Sequence, residues 1–233
     1  MTDSRGAMTD DQRPEAVIAA CRELERCGLT HGTSGNISVR RDERRFFFSP
    51  TGMAYDDLEP DQIPLMDIDG RWSGHCRPSS EWRFHRDIFK SRGDVCAIVH
   101  THSRSATALA CTGRGIPAFH YMVAVAGGPD IRCAPYNTFG TQELSDAALL
   151  ALDGRKACLL ANHGVIAVGA DLRGALVLAG EVENLAAQYC AALALGEVRI
   201  LDHGEMLRVL EKFSTYGKQD APDPGLVFAG KSP

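Results

Sequence analysis

The apolar run Val95-Cys-Ala-Ile-Val99 opens directly into His100-Thr101-His102. In an extended strand, residues two apart project to one face, so both imidazoles can reach a single point. Two such histidines at the end of an apolar strand are costly to bury unless they are paired or ligate a metal. A third histidine, His163 in Asn162-His163-Gly164, closes a second apolar run. Three histidines from strand ends, with one position left open, is the arrangement of a catalytic zinc. The His-x-His spacing alone carries little weight, since two satisfied histidines at a strand end would look the same. The second strand-end histidine weighs against that plainer account. Glu81, in Pro78-Ser79-Ser80-Glu81, is the fourth candidate, as ligand or proton carrier. It falls in the first turn of an expected helix, where the dipole favours its charge and where a simple capping carboxylate would also stand.

Three small-residue segments form a second set: Gly32-Thr-Ser-Gly-Asn36, Pro50-Thr-Gly52 and Ser79-Ser80. Each supplies backbone N–H groups and hydroxyls, and the last adds a helix N-terminus, so together they suit an anion. Each by itself reads as a turn or a cap. None matches a P-loop or a dinucleotide fingerprint, so nucleotide binding is not indicated.

The elements that must position these residues are legible in outline. Pro14 to Cys27 reads as an opening helix, ended by Gly28, and Ile37–Arg40 with Arg45–Ser49 as a hairpin. Ile63–Asp67 reads as a short strand. Ser79 or Ser80 is the expected N-cap of a helix over Glu81–Lys90. Val95–Val99 is a strand, followed by a helix around Arg104–Cys111. Strand-like pieces are expected near Ala118–Val125 and Ile131–Ala134. Gln142–Leu152 reads as helix and Ala157–Ala161 as strand, with Val165–Val168 as its continuation. Helices over Leu172–Leu195 and Glu205–Phe213 close the pattern. With no repeat and no linker, residues 13–217 read as one mixed α/β domain between tails at 1–12 and 218–233.

The whole chain bounds the function. It has 233 residues, 44% hydrophobic and 24% charged, and a formal net charge of −5. A domain of this size buries enough surface to be stable without metal or disulfide staples, so a metal site here points to chemistry first. No basic patch suggests nucleic acid as a partner, and no apolar run reaches the ~18 residues of a membrane span. The eight cysteines show no C-x-x-C pair and read as buried, reduced thiols of a cytoplasmic protein.

The sequence resembles the class II aldolase family typified by L-fuculose phosphate aldolase. The resemblance runs in order through GLTHGTSGNISVR (28–40), SPTGM (49–53), PSSEWRFH (78–85), VHTHS (99–103) and FHYM (119–122). It continues through CAPYNTFGTQEL (133–144), ANHGVIAVG (161–169) and EKFSTYG (211–217). It implies a central, mostly antiparallel β-sheet flanked by helices. It also implies zinc held by His100, His102 and His163, with manganese or cobalt able to use similar ligands. Glu81 matches the acid/base carboxylate, which also ligates zinc when substrate is absent. Asn36, Thr51, Gly52, Ser79 and Ser80 match the phosphate site. Tyr121 matches a tyrosine that reaches a neighbouring subunit's site and protonates the aldehyde oxygen, and Tyr216 a tail tyrosine involved in turnover. A homotetramer with active sites between subunits is the expectation.

The implied reaction is reversible cleavage of a ketose 1-phosphate to dihydroxyacetone phosphate and an aldehyde. L-fuculose 1-phosphate and 5-deoxy- or 5-methylthio-ribulose 1-phosphate are the candidate substrates. Departures concern the aldehyde end: Asn162 stands where fuculose phosphate aldolases often have histidine, Phe139 matches an apolar residue there, and the chain after Gly217 departs completely. Three other functions compete. A pentulose phosphate 4-epimerase would resemble Ser-Ser-Asp at Ser80-Glu81 and need an aspartate near Tyr121, yet residues 119–126 contain no acidic group. A methylthioribulose 1-phosphate dehydratase would use an overlapping set of motifs. A non-catalytic scaffold like the adducin head would be expected to lack the metal histidines.

Overall fold

The structure is a computed structural model, and it describes residues 13–213. The expected tails, 1–12 and 218–233, and Tyr216 lie outside the described residues. The hairpin is β1 (Asn36–Arg40) and β2 (Arg45–Phe48), followed by β3 (Leu65–Asp67) and β4 (Trp72–Ser73). Then come β5 (Ala97–Thr101), β6 (Cys133–Ala134), β7 (Ala157–Leu160) and β8 (Gly164–Gly169). They form one eight-stranded sheet in the order β4-β3-β2-β1-β5-β8-β7-β6. Every pairing is antiparallel except β6 with β7. The helices are α1 (Arg13–Arg26), α2 (Trp82–Ser91), α3 (Arg104–Ala110), α4 (Gln142–Ala151), α5 (Leu172–Leu195) and α6 (His203–Phe213).

Both faces of the sheet are covered, so its central strands are apolar on both sides. Ile37, Val39, Ala97, Val99, Val165 and Ala167 belong to the core packed under α1, α3, α5 and α6. Ile98, Ile166 and Val168 belong to a second core with Phe84, Ile88 and Phe89 of α2 and Leu144 and Ala148 of α4. Period-two alternation therefore sends His100, two residues after Ile98, toward α2. Asn36 pairs with His100, and Ser38 with Ile98, across β1 and β5. Asn36 and Ser38 thus share that face.

Three local expectations are corrected. Neither Ser79 nor Ser80 is the N-cap of α2; Glu81 occupies it, and its side chain makes no cap bond. Around Ala118–Val125 the chain is not strand: Tyr121–Ala126 is a 3-10 helix. Its small residues let the turn nestle under α5, and Gly127 ends it in a left-handed conformation (φ 86°). β8 is also not a continuation of β7. Asn162 takes φ 55°, reverses the chain, and makes the two strands an antiparallel hairpin.

Candidate active site

Four elements bring the first set of residues to one point. His100 is the penultimate residue of β5 and fully buried, and His102 lies just past the strand. His163 sits in the β7–β8 turn, and Glu81 at the start of α2. One ligand atom from each of the four lies within 4.8 Å of the others. His100 Nε2 is 2.9 Å from His102 Nε2 and 3.1 Å from Glu81 Oε2, and His163 Nε2 is 3.0 Å from Glu81 Oε1. Gly164 makes this close approach feasible: a Cβ there would stand 2.3 Å from the Thr101 carbonyl oxygen and 2.8 Å from the His102 ring.

The donor set fits a divalent cation. His100 Nδ1 lies 2.8 Å from the Val165 carbonyl, which can only accept, so Nδ1 donates. In the neutral ring Nε2 is then a lone pair, aimed at the lone pairs or protons of His102 and Glu81. A cation among these groups, a proton on His100 in the metal-free site or a metal ion in its place, offsets the facing lone pairs, and a carbonyl-oriented imidazole is how metal-binding histidines are ordinarily set. Glu81 Oε1 is buried and makes no directed hydrogen bond despite its approach to His163. Burial by itself would raise the Glu81 carboxyl, but the charge and hydrogen bond of His100, with His163 beside it, hold it well below the carboxylate range. Burial, reinforced by His100 and His163, lowers His102 to about 3, so that ring is a neutral donor at ordinary pH.

The second set lies alongside. Ser79 N donates to Ser49 O, Thr51 N donates to Arg77 O, and Pro50 bridges Pro78, so the end of β2 is laced to the start of α2. Asn36 enters from β1, with Nδ2 at 2.9 Å from Glu81 Oε2 and 3.2 Å from Ser79 Oγ. Asn36, Thr51, Gly52, Ser79 and Ser80 all line one cleft of about 360 Å³, together with Glu81, His102 and His163. The anion-suited loops and the metal-suited cluster are therefore walls of the same cavity.

Tyr121 does not line this cleft; it is half exposed, against the rings of His120 and Phe213. Sequence reasoning singled out Phe139 and Asn162, which both line the cleft, but missed Tyr136 and Asn137 beside them. It also gave no role to His85, fully buried behind Asn36. Only the strand alternation of Asn36 and Ser38 hinted at a polar partner on that face.

This sheet, with a histidine–carboxylate cluster beside anion-suited loops, defines a class. The chain belongs to the class II aldolase and adducin N-terminal domain family, whose model matches residues 15–190. Among its relatives is the 5-methylthioribulose-1-phosphate/5-deoxyribulose-1-phosphate aldolase of Rhodospirillum rubrum. The two are 55% identical over 201 residues, 86% of this chain and 90% of the relative. The L-fuculose phosphate aldolase of Escherichia coli K12 is 48% identical over 202 residues, covering 86% and 94%. A solved L-fuculose 1-phosphate aldolase superposes with a TM-score of 0.85 at 40% identity, covering 89% of this chain and 98% of its own. The chain is thus an enzyme, a lyase of the class II aldolase type, and the scaffold alternative falls. Among the described residues no helix is long and apolar enough to cross a membrane.

Proposed function

We propose that the enzyme is a zinc-dependent aldolase that reversibly cleaves a ketose 1-phosphate to dihydroxyacetone phosphate and an aldehyde. The carrying observation is that Glu81, His102 and His163, clustered with the buried His100, line the same cleft as Asn36, Thr51, Gly52, Ser79 and Ser80. His100, His102 and His163 would hold the ion, with Glu81 as fourth ligand before substrate binds; three imidazoles suit zinc, though manganese or cobalt accept the same donors. When bound, the cation supplies Lewis acidity for the charge left as the C3–C4 bond breaks. The phosphate is held by the N–H groups and hydroxyls of the five loop residues, which binds and orients the substrate at a distance from the reacting bond.

Glu81 moves the proton at C3 of dihydroxyacetone phosphate, taking it in the condensation direction and returning it in cleavage. Tyr121 of a neighbouring copy protonates the aldehyde oxygen in condensation and takes the proton back in cleavage. The half-exposed Tyr121 ring supports a site shared between copies, and the homotetramer with active sites at subunit interfaces is the assembly that the family resemblance implies. Tyr216 would take part in turnover. The eight cysteines are free, which supports a reducing, cytoplasmic location, although only Cys21 and Cys158 are buried and Cys27 and Cys111 are exposed. Of the candidate substrates, 5-methylthio- or 5-deoxy-ribulose 1-phosphate is favoured over L-fuculose 1-phosphate. The exposed rings of Tyr136 and Phe139 at the cleft offer an apolar wall for a methyl or thioether tail, and the Rhodospirillum relative supports the same choice.

The test is dihydroxyacetone phosphate in D₂O with the metal-loaded enzyme, followed by proton NMR. Stereospecific loss of one C3 proton signal is expected. No exchange from a fully loaded enzyme would sink the aldolase reading and turn attention to the dehydratase and epimerase, assayed with pentulose phosphates.

A further inference from the structure

Behind the cleft lies a buried imidazole that the proposed chemistry does not use. His85 has no exposed surface and packs between Phe48 and Phe84, with ring centroids at 4.4 and 4.6 Å. Its two nitrogens are both occupied: Nδ1 is 2.6 Å from Ser38 Oγ and Nε2 is 2.5 Å from Asn36 Oδ1. Asn36 and Ser38 are two apart in β1 and share a face, so one ring lying over the strand spans both side chains.

The polarity of this series can be read outward from Glu81. A carboxylate only accepts, so the Asn36 atom 2.9 Å from Glu81 Oε2 is the NH₂ group. The amide oxygen then faces His85, and since it too only accepts, Nε2 must carry the ring proton. Burial, with the charge of His100 added, pushes His85 well below the ordinary histidine range, so the ring is neutral. Its Nδ1 is left as acceptor, and the Ser38 hydroxyl donates to it. A flipped Asn36 amide would set its oxygen against the Glu81 carboxylate, and would keep a bond to His85 only if the ring moved its proton to Nδ1 and the Ser38 hydroxyl turned to accept. The observed polarity satisfies all of these buried groups at once.

We propose that His85 is a positioning residue, which locks the Asn36 amide so that its NH₂ faces the cleft and is available to the substrate phosphate. The inference rests on the reading of Asn36 as a phosphate donor. A buried packing histidine would have the same surroundings, and the two roles differ in what a replacement does to ligand binding. Glutamine can offer an amide N–H toward Asn36 Oδ1, whereas leucine fills much of the volume and leaves that oxygen without a donor.

The experiment uses the full-length, metal-loaded enzyme and its His85→Gln, His85→Leu and Asn36→Ala variants. Inorganic phosphate binding is measured by calorimetry, the KM for ketose phosphate by cleavage assay, and metal content in parallel. His85→Leu is expected to weaken phosphate binding and raise KM about tenfold or more with metal content at the parent level. His85→Gln should restore most of the loss. Equal losses in both variants, or parent-like phosphate binding by His85→Leu, would reduce His85 to packing and overturn the inference while leaving Asn36 as donor. Parent-like binding by Asn36→Ala would instead remove the phosphate reading of Asn36, and this inference with it. Should His85→Leu fail to fold, ¹⁵N NMR of the parent's imidazoles decides: a protonated Nε2 and bare Nδ1 on His85 is expected, and the opposite tautomer overturns the assignment.

Discussion

A carboxylate at a helix start usually caps the helix, but the Glu81 side chain turns away from the backbone of α2 to meet His100, His163 and Asn36. A group so placed can reach a substrate proton beside the metal cluster. Glu81→Gln should therefore keep the fold, and lose C3 proton exchange by about 10²–10⁴-fold; exchange at the parent rate would take Glu81 out of the chemistry. The neutral histidines give a second expectation at this scale. His85 is held well below the ordinary range and His102 at about 3, against about 6.5 in an unfolded chain. Below about pH 6.5 the unfolded chain binds protons that the metal-free folded protein does not, so stability is lost as pH falls. Melting of the EDTA-treated protein at pH 7.5 and 5.5 should show this loss, and His85→Gln should show less of it.

Among the elements, the β7–β8 hairpin is the tightest constraint on the site. Asn162 holds a left-handed conformation that asparagine tolerates better than most residues, and Gly164 lies against the segment that runs from His100 to His102 at the end of β5. Gly164→Ala would force a methyl into the Thr101 carbonyl and the His102 ring. We expect it to lower bound metal and melting temperature together; normal metal content would show that the hairpin can shift without loss. Arg40 plays a purely structural part at the other end of β1. It donates to the carbonyls of Phe89, Arg92 and Val95, tying the C-terminus of α2 to the sheet. Arg40→Met should cost about 1–3 kcal/mol in urea unfolding and leave phosphate binding intact.

At the scale of the molecule, the cleft is complete in its metal-suited and anion-suited walls, while Tyr121 stands outside it. If a neighbouring copy supplies that hydroxyl, Tyr121→Phe should impair aldehyde condensation far more than C3 exchange of dihydroxyacetone phosphate. Equal losses in the two assays would make Tyr121 a packing residue. Light scattering on the parent protein then tests the assembly itself, with a monomer arguing against a shared site.

Much of this was legible in the chain, and the reason is local. Strand alternation announced that His100 and His102 could converge, apolar runs ending in His163 and His102 marked strand ends, and the quoted segments carried the family resemblance. The long helix Leu172–Leu195 was also plain from its length and apolar content, and the structure adds Asp171 as its N-cap. What the sequence could not fix was contact across distance. Whether Glu81 caps or ligates depends on where α2 lies against β5, and that is set by the packing of Phe84, Ile88 and Ile98. The 3-10 turn at Tyr121–Ala126 escaped for a related reason: its apolar run fits strand or helix, and only burial under α5 decides between them. The tautomer of His85 and the facing of Asn36 follow from four side chains, Asn36 and Ser38 of one strand and Glu81 and His85 at the start of one helix. Spacing could place each on a face; only the folded sheet, with α2 laid across it, brought their donors and acceptors within bonding distance.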